Sequence, residues 1–124
     1  MLLRLALVLA LVAATAAPPR AQTTNSALDD SLARLSEILG ALHYLRGICK
    51  ASDGNRWRTE MQALIDAEGT NPGRKARMVA SFNHGYKGFQ QTYRTCTPAA
   101  DLAVRRYLDE GAKLSREVTA RYSN

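Results

Sequence analysis

Cysteine is scarce in this chain, with only Cys49 and Cys96, and they lie far apart. No Cys-x-x-Cys pair exists, so neither a close-spaced zinc site nor a Cys-x-x-Cys-His haem attachment is encoded. Histidine is equally sparse: His43 and His84 stand alone, without an H-E-x-x-H or a paired Glu-x-x-His pattern. Gly-x-Ser-x-Gly is missing as well. No stretch alternates with period two for long enough to make a strand. There is no internal repeat, and beyond the first 21 residues no low-complexity tract and no further apolar run approaching membrane-spanning length. These absences remove most recognisable catalytic and metal chemistry and leave an all-α chain.

The front of the chain reads as an address. "MLLRLALVLALVAATAA" has a short n-region ending in Arg4, an apolar run from Leu5 to about Ala14, and then small residues. Ala14-Thr15-Ala16 fits the A-x-A cleavage pattern of a secretory signal peptide, and the apolar run is short of the roughly 20 residues a membrane span needs. Residues 1–21 are therefore expected to be a signal peptide, cleaved after Ala16 or Ala21, and 22–124 a single helical domain. Cleavage after Ala21 leaves 15 Lys and Arg against 11 Asp and Glu, a net charge of +4. That is far from the polybasic character of a nucleic-acid binder, and export makes nucleic acid an unsuitable partner. No transmembrane segment is expected in the mature protein, and an oxidising compartment favours a Cys49–Cys96 disulfide.

Four segments follow helical periodicity. Leu28, Leu32, Leu35, Leu39 and Leu42 step by four and three, with Ser26 as N-cap and Asp29 and Asp30 in the first turn. Asp53 or Asn55 starts a shorter helix with Trp57, Met61, Leu64 and Ile65. "EGTNPG" ends it, Gly69 suiting the position after the helix and Pro72 able to start the next. The third helix is expected from about Gly73 to Cys96, its face marked by Met78, Phe82, Tyr86, Phe89 and Tyr93. Thr97 as N-cap, Pro98 and Asp101 open the fourth, which carries Val104, Tyr107, Leu108, Leu114, Val118 and Tyr122.

Short loops between four amphipathic segments predict an antiparallel four-helix bundle, up-down-up-down. Helices one and three then run parallel, and Cys49 and Cys96 close their C-terminal ends together, within bridging distance. Gly85, Gly88 and Thr92 form a strip of small residues on helix three. Gly40 and Gly47 lie on helix one and Gly111 on helix four. Such positions let a neighbouring backbone or ring approach closely, offsetting the cost of glycine in a helix. A hinge or π-bulge beside a ligand site is the alternative.

The topology gathers cations at the disulfide end: Arg46, Lys50, Arg56, Arg58, Arg94, Arg105 and Arg106, around Trp57. Asp53, Glu60 and Asp101 only partly balance these seven. Two readings stand side by side. The cations complement the dipoles of helices one and three at a solvated surface, or they and an amphipathic, partly exposed Trp57 form a docking end for an anionic envelope partner. His43 and His84 follow the core positions Leu42 and Asn83, so neither clearly points inward. A haem or metal site with Met61 or Met78 is conceivable in a bundle core, yet no cofactor is expected. Asn83 is a candidate partner for a buried tyrosine hydroxyl.

"LGALHYLRGIC", "WRTEM", "FNHGYKGFQQTYRTCTPAA" and "RYLDEGAKLSREVTARY" together resemble a family of small exported alphaproteobacterial proteins of unknown function. The resemblance runs from about Leu39 to Tyr122 and implies a periplasmic location. It supplies no activity and no catalytic residue. The expectation is a non-enzymatic periplasmic helical protein that binds an envelope partner or modulates an envelope process. The alternative is a carrier of a small ligand, metal or haem. An enzyme would have no residue to nominate.

Overall fold

The computed structural model describes residues 20–122, with side chains described for 26–121; the expected signal peptide lies almost wholly outside them. The chain forms α1 (Arg20–Ile48), α2 (Arg56–Glu68), α3 (Pro72–Thr92) and α4 (Pro98–Tyr122), with no strand among the described residues. The direction of each helix follows from its contacts. Asp29 and Asp30 of α1 bind Arg74 and Arg77 at the start of α3, and the Cys49–Cys96 disulfide joins the far ends, so α1 and α3 are parallel. α4 begins beside the disulfide and reaches Arg34 with Glu110, so it runs against α1. The order is up-down-up-down.

Within that order α1 is the hub. It packs against all three other helices, whereas no Cα of α4 comes within 8 Å of one in α2 or α3. From Leu32 to Leu42 it is consequently buried on nearly every side: Leu32, Leu35, Ile38, Leu39 and Leu42 on one front, Ala33, Ser36 and Ala41 on the other. Ser36 lies entirely out of water and donates its hydroxyl to the Leu32 carbonyl at 2.7 Å, which satisfies its only donor. The core continues outward through Trp57, Met61, Met78, Ala100 and Val104.

The glycine strip is answered unequally. A Cβ at Gly40 would collide with the Phe82 carbonyl, and one at Gly85 with the Glu37 carbonyl. Both collisions are with backbone, so these two glycines are where α1 and α3 touch. At Gly88 and Gly47 nothing lies within 4 Å, contrary to the expectation that Gly88 seats a neighbour. The aromatic stripe brackets the contact: Phe82, Phe89 and Tyr93 pack half-buried against the core, and Tyr86 meets the rings of His43 and Tyr44.

Helix starts follow local chemistry in two cases and depart from it in two. Asn71 accepts from Arg74 N–H at 3.1 Å with Pro72 in the first turn, and Thr97 Oγ1 accepts from Ala100 N–H at 3.1 Å with Pro98 first in α4. Asn55 precedes α2 but makes no side-chain cap. α1 begins at Arg20 instead of after Ser26, so Asp29 and Asp30 do not sit in a first turn; their charge is used laterally, on α3. α3 stops at Thr92, four residues before Cys96, because Tyr93 is extended (φ −124°).

Candidate functional site: the disulfide-bearing end

The end of α1 is built by backbone hydrogen bonds. Lys50 N–H donates to Gly47 O at 3.3 Å and Ala51 N–H to Arg46 O at 3.1 Å, the paired bonds of a Schellman ending. That ending needs a left-handed residue, normally glycine, and here Lys50 occupies it at φ 54°. Opposite, Tyr93 N–H closes α3 on Phe89 O at 2.8 Å, and the Tyr44 hydroxyl donates to the Tyr93 carbonyl. Extended Tyr93 and the bend at Arg94 and Thr95 bring Cys96 to Cys49 with Cα atoms 4.8 Å apart. A hollow of about 480 Å³ there is lined by Ile48, Lys50, Arg94, Thr95 and both cysteines.

The predicted basic cluster divides into engaged and unpaired cations. Arg46 is locked to the largely buried Asp53 at 2.8 Å and is structural, whereas Arg105 is engaged by Asp101 at 2.8 Å in an exposed pair one turn apart. Arg56 lies over the Trp57 ring, 4.9 Å from its centroid. Among the described residues Lys50, Arg58, Arg94 and Arg106 have no ion-pair partner. Lys50 and Arg94 share the disulfide hollow, whereas Arg106 faces a separate cleft between α3 and α4. Trp57 corrects the expectation most clearly. It is only 7% exposed, part of the core, and not a surface anchor.

Asp53 is the residue that the sequence pattern undervalued. Its side chain is 13% exposed, and burial works against its charge, but the Arg46 hydrogen bond and guanidinium outweigh that and hold its carboxyl below the ordinary 3.8. The Trp57 indole adds to the lowering, although Trp57 Nε1 and Asp53 Oδ1 miss a well-formed hydrogen bond. The signal was present: Arg46 and Asp53 are seven residues apart across the turn that ends α1.

The two histidines occupy unlike settings. His43 is half-buried beside Phe82 and Tyr86, ring centroids 6.0 and 5.6 Å away, with Nδ1 unpartnered. Burial and then the positive charge of Arg58 hold its pKa below 6.5. His84 is 79% exposed, with Nε2 4.0 Å from Glu37. Among the described residues no three His, Cys, Asp or Glu side chains converge as a metal would require. Asn83 is exposed and so does not serve as the partner of a buried tyrosine hydroxyl; the Tyr44 hydroxyl bonds the Tyr93 carbonyl.

Two clefts flank α4 because it touches neither neighbour through its backbone. The first, about 540 Å³, lies between α2 and α4. Leu35, Ile38, Leu39 and Leu42 form its floor, and Leu64 and Leu108 lie on its walls. The second, about 500 Å³, lies between α3 and α4. No described helix is long and apolar enough to cross a membrane.

A family model described as protein of unknown function (DUF2385) matches residues 27–122, which takes in all of α2, α3 and α4 and most of α1. The chain belongs to that family. No curated protein and no solved structure matches it. The match spans the disulfide, the hollow beside it and both clefts, so these are features of the family's own segment of the chain.

Proposed function

We propose that this is a non-enzymatic, exported helical protein that docks through its disulfide end on an anionic partner in the cell envelope. The reading is supported above all by one observation: Lys50 and Arg94 line the same hollow with no carboxylate partner, beside the disulfide that fixes both backbones. Like charges held together on a rigid frame raise the local potential and attract an anion. Lys50 does so from a left-handed conformation that costs about 1–2 kcal/mol for a residue other than glycine. Strain of that kind collects at functional positions. Export with cleavage after Ala16 or Ala21 would place the domain in the periplasm, where the disulfide persists.

Capture from envelope extracts tests the proposal. The wild-type protein retains a partner that elutes as salt is raised, as exposed charge pairing demands, and Lys50→Glu with Arg94→Glu abolishes retention. Identical partners on both proteins would refute the docking end. Cell fractionation with N-terminal sequencing checks export: a mature chain starting after Ala16 or Ala21 is expected, and a cytoplasmic chain retaining Met1 would contradict it.

A second reading is favoured by the cleft between α2 and α4. Its floor residues are already at least nine-tenths buried, so it suits a narrow apolar ligand and not a helix. Lipid extraction followed by mass spectrometry of the purified protein would reveal such a cargo. For the metal version of this reading, no three His, Cys, Asp or Glu side chains converge among the described residues.

A further inference from the structure

The cleft between α3 and α4 has its own chemistry, apart from the disulfide hollow. Its walls are aromatic. Phe89 lies stacked with Tyr93 at 6.1 Å and edge-on to Tyr107 at 5.3 Å, so three rings form one continuous surface. Leu102 lies on the rim and is 47% exposed, one of two large hydrophobic side chains so exposed among the described residues. Leu102, Arg106 and Glu110 are spaced by four and share one row along α4.

The charges in the cleft do not cancel. Glu110 is the only carboxylate lining it, and both its oxygens are taken by Arg34, at 2.7 and 3.0 Å. Arg34 is further held by Glu37 at 3.2 Å and lies over the Tyr107 ring. Burial opposes its charge, but Glu110 and then Glu37 more than restore it, raising its pKa. Arg106, one turn before Glu110, is thereby left with a free guanidinium at the mouth of an aromatic cleft. Asp101 and Asp109, the other α4 carboxylates near it in sequence, are engaged by Arg105 and Lys113.

We infer that this cleft binds a monocarboxylate carried on an aromatic or branched apolar group, with the carboxylate on Arg106 and the apolar part against Phe89, Tyr107 and Leu102. One planar guanidinium matches one carboxylate, and does so bidentately. A doubly charged phosphate would leave a charge uncompensated. The volume, about 500 Å³, lies in the range of small-ligand sites. The inference goes beyond the docking end and holds whether or not that end has a partner. A free small acid and the C-terminus of a peptide ending in such a residue present the same chemistry.

Calorimetric titration of the full mature protein with phenylpropionate, phenylpropionamide, and the tripeptide Ala-Ala-Phe as free acid and as amide decides the matter. Each acid that fits is expected to bind about tenfold tighter than its amide. Arg106→Gln should erase that difference, whereas Lys50→Glu with Arg94→Glu should leave it intact. Preference for the small acid alone, or for the peptide alone, names the source. Equal binding of acids and amides, no binding of any probe, or an Arg106→Gln protein that still discriminates would each overturn the inference. Arg106 is exposed, so its variant is expected to fold; an unchanged circular dichroism melt confirms this before titration.

Discussion

Lys50 is a residue whose backbone asks for glycine. At φ 54°, inside a Schellman ending, its Cβ carries a steric cost that glycine avoids. Lys50→Gly should therefore raise stability by about 1 kcal/mol, visible as a higher melting midpoint, while weakening the docking end. A lower midpoint would mean that the lysine side chain stabilises the native state by more than its backbone costs. Two titratable residues set opposite expectations about charge but the same trend with pH. Asp53 has a depressed folded pKa, so its contribution is complete above the unfolded value of about 3.8 and is lost as pH falls through the folded one. His43 is also depressed, from 6.5, which means the unfolded chain takes up its proton first. Its contribution is whole above pH 6.5 and declines below it. Stability should thus fall in two stages on acidification, and His43→Gln should remove the first while Asp53→Asn flattens the second. Denaturant midpoints measured between neutral pH and strong acid would show both.

At the scale of elements, the α1–α3 contact holds the fold together. Gly40→Ala and Gly85→Ala each push a methyl into backbone that has no side chain to move, and each should cost about 1–3 kcal/mol or more. Gly88→Ala meets nothing and should be neutral or stabilising by up to about 1 kcal/mol. A thermal melt of the three variants separates contact from mere helix propensity. Loss of the disulfide, which closes a loop across a separation of 47 residues, should cost about 2–4 kcal/mol and leave a folded protein with a lower midpoint. Much of this level was legible in the sequence. Thr97-Pro98 and Pro72 act locally, so their spacing alone located two helix starts, and a parallel α1–α3 pair was the simplest way to bring Cys49 to Cys96. What was not legible depends on neighbours. Trp57 faces the core and not solvent because three helices surround α1. Gly88 and Gly85 look alike until the register of α3 on α1 decides which one meets backbone. Asp29 and Asp30 resemble first-turn charges until α1 begins earlier, at Arg20, and α3 arrives with Arg74 and Arg77.

At the scale of the whole molecule, unpaired charge and open space are unevenly distributed. The cation cluster read from the sequence mixes engaged members, Arg46 and Arg105, with unpaired ones; the spacings that mark the two pairs, seven residues across the turn for Arg46–Asp53 and i,i+4 for Asp101–Arg105, were legible, but both carboxylates were read as one weak counterbalance. The two clefts beside α4 were not legible at all, since they arise from how far α4 stands from α2 and α3. Net positive charge by itself would attract any polyanion. The docking end demands more, namely that position matters. The most direct measurement therefore compares two variants with the same change in net charge. One carries Lys50→Glu and Arg94→Glu at the disulfide hollow. The other carries Arg116→Glu and Arg121→Glu, both exposed and roughly 30 Å farther along α4 from Pro98, at 1.5 Å per residue. Retention of the envelope partner at physiological salt should be lost in the first and preserved in the second; equal loss in both, or loss only in the second, would contradict a docking site at the disulfide end.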